Sequence, residues 1–158
     1  MIDEISLNIL NILLEKARIP NVEVARQVGM APSAVLERIR KLEKQGIIDG
    51  YEVRLNPERF NRRLIAFIFI KTDGHPHPER TPIPDTLAAM PEVQEVHEVA
   101  GEDCLLLKLR AADHQELGAL LRERIRSIPG ILSTRTLTVL STHKETARFP
   151  ISGILPDE

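Results

Sequence analysis

The sequence predicts an α+β protein of two domains: an N-terminal three-helix helix-turn-helix domain, then a βαββαβ ferredoxin-like domain. Three observations predict it. Residues 21–46, NVEVARQVGMAPSAVLERIRKLEKQG, read as two short helices around a glycine turn. Residues 64–140 alternate strand-length apolar runs with helix-period segments in the order βαββαβ. Met90-Pro91-Glu92-Val93 is echoed by Ile128-Pro129-Gly130-Ile131 at matching helix-to-strand junctions, as two βαβ halves related by a pseudo-twofold would produce.

Asp3 is placed to cap a first helix in which Ile5, Ile9, Leu10, Leu13 and Leu14 form a broad apolar side. Proline disfavours helix in the residue before it, so Pro20 sets an expected end near Arg18-Ile19. Asn21 is expected to cap a second helix, with Glu23 in the first turn where the macrodipole favours an anion. Val24, Ala25 and Val28 point inward, and Gly29 suits the left-handed conformation of a sharp turn. Pro32 opens the third helix. Val35, Ile39 and Leu42, at i, i+4 and i+7, make one narrow apolar stripe. Opposite lie Ser33, Ala34, Glu37, Arg38 and Lys41, with Arg40 and Lys44 nearer the margin, and Gly46 ends the helix. IIDGYEVRLNP (47–57) predicts a short strand across 48–55, and the apolar pattern then lapses over ERFNRR. The expected organisation is a helix-turn-helix domain at 1–55, a linker at 56–63, a second domain at 64–145 and a tail at 146–158.

In the second domain LIAFIFIK (64–71) is a continuous apolar run, as in a strand central to a sheet. DGHPHPERTPIP (73–84) is a proline-rich loop, followed by a short helix from Asp85 to Met90. QEVHEV and CLLLKLR flank Ala100-Gly101-Glu102-Asp103 as a hairpin. Asp113 and Glu116 have the spacing of a capping box, with Asp113 reaching forward and Glu116 back. Behind them Leu117, Leu120, Leu121, Ile125 and Ile128 form a helical stripe, and LSTRTLTVL (132–140) alternates as the last strand.

Composition narrows the function. No apolar run approaches the roughly 18 residues needed to span a bilayer, and the start, MIDEISLNIL, is acidic where a signal peptide is basic. The single cysteine, Cys104, allows no internal disulfide and fits a reducing compartment, so a cytoplasmic, nucleoid-associated protein is expected. Net charge is −2, yet residues 1–63 carry eleven basic against nine acidic residues and 64–158 carry ten against fourteen. Steering toward phosphate depends on the local field, since charges beyond about 8–10 Å are screened. Overall acidity is therefore compatible with double-stranded DNA as partner, and it opposes indiscriminate binding. A solvated helix face is the ordinary fate of a cluster such as Arg38, Arg40, Lys41 and Lys44. On the second helix of a helix-turn-helix pair, the same cluster points to the major groove. Ser33, Ala34 and Glu37 would face base edges, Arg38 would take guanine or phosphate, and Arg40, Lys41 and Lys44 would neutralise phosphate.

The stretches IDEI…ILNILLEKARI, EVARQVGMAPSAVLERIRKLEKQGIIDGY, MPEVQEVHEVAGEDCLLLKLR and IRSIPGILSTRTLTVL…HK resemble the Lrp/AsnC (feast/famine) family of transcription regulators over nearly the whole chain. The resemblance implies a ligand-sensing C-terminal domain, homodimers that can assemble as an octamer of four dimers, and an amino acid as small-molecule effector at subunit contacts. Gly101, Glu102 and Asp103 would then form part of the effector site, with Thr134 and Thr136 adding hydroxyls. Four departures stand out: Ser6 where a second Asp is usual, Ala31 where a Ser caps the third helix, Cys104 where an aromatic is usual, and the longer proline-rich loop.

Other classes are less well served. Siroheme decarboxylases resemble this family in fold and follow a strand His with Tyr and Arg two and four residues on. Here His97 is followed by Val99 and Gly101. A ligand sensor with a degenerate DNA-binding helix is the other alternative, suggested by Ala31. Asp73, His75 and His77 alternate with proline as a solvent loop does, without a fourth ligand at metal spacing. Neither metal nor cofactor is expected, and the protein is read as a non-enzyme.

Overall fold

A computed structural model of the chain describes residues 2–75, 79–102 and 104–151. They form two compact units, one of residues up to 54 together with the segment from 145, the other of residues 55–144. The first unit contains α1 (Glu4–Glu15), α2 (Asn21–Val28) and α3 (Pro32–Lys44). Ile9, Val24, Ala25, Val35 and Ile39 are its buried centre, with Ile5, Ile12, Leu13, Val28 and Ile48 packed around them. Gly29 adopts φ 69°, which sends the chain out of α2 while Met30 N–H bonds back to Ala25. Ala31 occupies the α3 cap without a side-chain bond, and its carbonyl accepts from the Ala34 and Val35 amides.

Three local expectations need correction. Helix α1 stops at Glu15, earlier than Pro20 alone requires, and Lys16 leaves the helix while the Ile19 amide turns back to its carbonyl. Pro20, not Asn21, holds the α2 cap: its extended backbone (ψ 140°) aims its carbonyl at the Glu23 and Val24 amides, so Asn21 is the first helical residue. Residues 48–55 are not a strand. Among the described residues no backbone partner pairs with 49–55, and a strand without a neighbour is only extended chain. After this segment the C-terminal stretch contributes to the first unit through Arg148, whose Nη2 donates to the Glu15 carbonyl at the end of α1 (2.9 Å).

The second unit opens with a 3-10 turn, Pro57–Phe60, capped by Asn56. Strands β1 (Leu64–Thr72), β2 (Val93–Glu98), β3 (Leu105–Ala111) and β4 (Ile131–Thr138) form one antiparallel sheet in the order β2-β3-β1-β4. Helices α4 (Ile83–Ala88) and α5 (His114–Ala119) belong to the two βαβ halves. Helix α4 begins two residues before Asp85 because Pro84 fits a first helical turn. Ala66, Ile68 and Ile70 of β1 share one face and are fully buried with Leu107, Leu109, Leu87 and Ile125. The internal echo has a hydrogen-bond counterpart. Met90 N–H reaches Leu87 O and Val93 N–H reaches Met90 O, while Ile128 N–H reaches Ile125 O and Ile131 N–H reaches Ile128 O.

The helical stripe behind the capping box is α-helical only to Ala119 and continues as π-helical turns over Leu120–Ile125. Periodicity cannot separate the two forms over so short a run. Asp113 accepts from the Glu116 amide (2.9 Å) as expected, but Glu116 reaches one residue further back, to the Ala112 amide. Together with the Arg62 guanidinium (2.7 Å), that N–H holds the Glu116 carboxyl below its ordinary range. The stabilisation is present above the unfolded-state value of about 4.3 and is lost as pH falls through the depressed folded value. Urea titrations below that pH should show stability declining with acid, and Glu116→Gln should flatten this slope; identical slopes would remove Glu116 from the account.

Candidate nucleic-acid interface and effector cavity

Helix α3 presents its charge because its stripe is buried. Val35, Ile39 and Leu42 are at most 6% exposed, and this fixes the rotation of the helix. Ser33, Glu37, Arg40, Lys41 and Lys44 are exposed together, and Ala34 is half-buried at their margin. Arg38 stands apart from them. Its Nη1 donates to Asp3 Oδ2 (2.6 Å) and to Ser6 Oγ (3.1 Å) at the start of α1. Asp3 also caps α1 by accepting from the Ser6 amide (2.8 Å). The Ser6 hydroxyl, then Arg38, hold the Asp3 carboxyl far below the usual carboxylate range. Nothing in local periodicity links positions 3 and 38, so sequence reasoning missed this contact.

Tyr51, on the unpaired segment after α3, donates to Glu43 Oε1 on that helix (2.9 Å). Partial burial, and next the Glu43 carboxylate as acceptor, push its phenol up to about 12. It is the only tyrosine and the chain has no tryptophan, so tyrosinate absorbance reports this one contact. An alkaline titration with the fold followed by circular dichroism should give a midpoint near 12, and Glu43→Gln should lower it. A midpoint at the ordinary value of about 10 in folded protein would contradict the contact.

In the second unit a cavity of about 1060 Å³ opens at the sheet end where β1 finishes and β3 begins. Gly101 of the hairpin lines it, with Asp73, His75 and Arg80 from the proline-rich loop and Ile83, Leu105 and Ile128 as apolar wall. The hairpin is tied to the sheet by Cys104, whose amide donates to Ile70 O and whose carbonyl accepts from Val99 (2.9 and 3.0 Å). Gly101 has φ 142°, in the region that favours glycine. Gly130 approaches from the other half. A Cβ there would come 3.1 Å from Ile83 Cδ1 and 3.4 Å from Asp73 Oδ1.

The residues expected at an effector site are only partly brought together. Gly101 lines the cavity, Glu102 is exposed on the turn, and Asp103 lies outside the described residues. Thr134 and Thr136 sit on the edge strand β4, away from the cavity wall, and Thr134 Oγ1 accepts from Arg126 Nε (2.9 Å). Arg80, Asp73 and His75 were missed as cavity residues because proline-rich composition reads as solvent loop. Of the His-Pro-His run, His77 lies outside the described residues; among those described, no cluster of three or more His, Cys, Asp or Glu could hold a metal ion. His97, on β2, is exposed with its ring 3.2 Å from Glu95 Oε2. Among the described residues no helix is long and apolar enough to cross a membrane.

A helix-turn-helix unit with a solvent-facing cationic helix, joined to a split βαβ unit with a cavity, defines a DNA-binding protein equipped with a ligand-binding domain. Residues 2–49 match the winged helix-turn-helix DNA-binding family and residues 65–149 the Lrp/AsnC ligand binding domain. The chain is 37% identical over 150 residues to the leucine-responsive regulatory protein of Escherichia coli (strain K12), covering 95% of this chain and 92% of that one. It is equally similar, at 37%, to the HTH-type transcriptional regulator FL11 of Pyrococcus horikoshii, covering 95% and 97%. The fold superposes with TM-score 0.89 and 29% identity on the transcriptional regulator NMB0573 of Neisseria meningitidis in complex with L-Met, covering 95% and 97%. The chain belongs to the Lrp/AsnC family of transcription regulators.

Proposed function

We propose that this regulator reads DNA through the exposed side of α3 and that its affinity for DNA is modulated by an amino acid held at the hairpin cavity. One observation carries the reading: a buried apolar stripe turns Arg40, Lys41 and Lys44 outward together with Ser33 and Glu37. Glu37 can accept from a cytosine amino group and Ala34 can meet a thymine methyl. The three cations neutralise phosphate and fix register. One such helix spans few base pairs, so specific affinity requires a homodimer reading two half-sites about 34–36 Å, or a multiple, apart. Segment 49–55, which has no backbone partner among the described residues and exposes Tyr51, Val53 and Leu55 at alternate positions, suits pairing with a second copy. Half-buried Phe67 and Phe69, the latter under the Arg135 guanidinium, are a second self-association surface, and using both allows closed assemblies of which an octamer of four dimers is one.

For the effector, Arg80 supplies the cation for an α-carboxylate and Asp73 an acceptor for an α-ammonium, with Ile83, Leu105 and Ile128 beside the side chain. Gly101 lies at the rim with Glu102 next in the chain; Asp103, which follows them in sequence, is assigned to the same site, and Thr134 and Thr136 would contribute where a second copy completes it. That NMB0573 holds L-Met supports an amino acid as ligand class. The protein acts in the cytoplasm as a binding protein and not as an enzyme, without cofactor or metal.

Two measurements test this. In DNA titrations over a salt series, Arg40→Ala, Lys41→Ala and Lys44→Ala should each weaken binding and reduce the slope of log K against log salt by about one; unchanged slopes would remove α3 from the phosphates. Calorimetry with the twenty amino acids should find at least one ligand whose binding weakens at least tenfold in Arg80→Ala, whereas silence from all twenty would end the amino-acid reading.

A further inference from the structure

We propose that Arg38, although it belongs to the cationic cluster, does not touch DNA but bolts α3 to the start of α1 as a positioning residue. The inference rests on the DNA-contact reading of α3 and changes which of its cations do the contacting. Three features of the contact carry it.

The acceptor is oriented in advance. Asp3 Oδ1 is fixed by the Ser6 amide as the α1 cap, which leaves Oδ2 aimed at Arg38 Nη1 at 2.6 Å. The guanidinium thus meets a carboxylate already held by a helix end, so forming the pair orders one long side chain instead of two.

The contact also reaches a buried group. Ser6 is the buried polar residue among those described, at 7% exposed, and Arg38 Nη1 donates to its hydroxyl at 3.1 Å. The Ser6 hydroxyl also holds the Asp3 carboxyl, so withdrawing Arg38 toward DNA would take a donor from the buried Ser6 oxygen and leave the Asp3 carboxylate without its cation. Both consequences oppose the move.

Finally, no other polar side-chain tie joins α1 and α3 among the described residues. Helices α2 and α3 are set relative to each other by the short Gly29 turn, whereas α1 and α3 meet only through apolar packing around Ile9, Val35 and Ile39. Apolar contacts are non-directional. A charge-assisted bond at the end of α1 defines where α3 sits against it, and so how Ser33, Glu37, Lys41 and Lys44 are presented.

The test uses the full chain and a duplex that the wild-type protein selects from a random pool, with a scrambled duplex as control. Arg38→Ala, Arg38→Lys, Asp3→Asn and the Asp3→Asn/Arg38→Ala double variant are compared over a salt series. Asparagine caps a helix as well as aspartate does, so Asp3→Asn breaks the ion pair and keeps the cap. The expected result is that Asp3→Asn and Arg38→Ala each weaken specific binding about tenfold and the double variant no further than Arg38→Ala. The salt slope and the selected base preferences should stay unchanged, and Arg38→Lys should recover part of the loss. Loss of affinity in Asp3→Asn is diagnostic, because removing a negative charge near DNA should by itself tighten binding. The proposal is overturned if Asp3→Asn binds more tightly, if Arg38→Ala lowers the slope by about one, or if it alters the preference at a base pair. Should Arg38→Ala fail to fold, Asp3→Asn and Arg38→Lys decide alone. Equal binding by every variant would remove the bolt and leave the DNA reading standing; a wild-type chain that selects no duplex would remove both.

Discussion

Burial of the narrow stripe Val35, Ile39 and Leu42 is the constraint on which the rest of the first unit depends. A helix with cations on one side has no orientation of its own, because solvated charges do not prefer one rotation over another. Three apolar side chains spaced i, i+4 and i+7 prefer one strongly, since each is worth about 1.5–3 kcal/mol when removed from water. The Gly29 turn and the Ile47 and Ile48 amides, both bonded to the Leu42 carbonyl, close the two ends of that arrangement. Charge is then displayed by hydrophobic means, and a chain with net charge −2 can still offer a cationic surface to a polyanion.

The second unit uses its sheet in a comparable way. Ala66, Ile68 and Ile70 lock β1 between β3 and β4, which fixes the register at both neighbours. Because Cys104 bonds to Ile70, the hairpin tip inherits its place from the central strand. The end of β1, the hairpin and the start of α4 are thereby brought around one cavity, although they are separated in sequence. Gly101 meets the backbone conformation its place requires, and at Gly130 the near approach of Ile83 and Asp73 leaves little room for a side chain.

Legibility in the sequence followed the range of the interaction involved. The helix-turn-helix, its glycine turn, the missing side-chain cap at Ala31 and the βαββαβ order were readable because each is set by neighbours within a few residues or by a period. The Met90 and Ile128 junctions were readable as an echo. What was not readable depended on distant partners. The 48–55 segment has strand composition, but pairing needs a neighbour that one copy does not provide. Arg38 looked like its neighbours Arg40 and Lys41, and only the fold shows it turned toward Asp3 and Ser6. Proline-rich composition concealed that Arg80 and Asp73 wall a cavity. That Arg126 Nε donates to the Thr134 hydroxyl, eight residues away, was likewise not legible.

The central claim is that a locally cationic ridge on an acidic molecule meets DNA directly. Lysine acetylation measured by mass spectrometry, with and without a saturating selected duplex, addresses it without any substitution. Lys41 and Lys44 on α3 should lose most of their reactivity when DNA is present, while Lys71 on β1 keeps its own. Lys41 and Lys44 reacting equally with and without bound duplex would contradict the account.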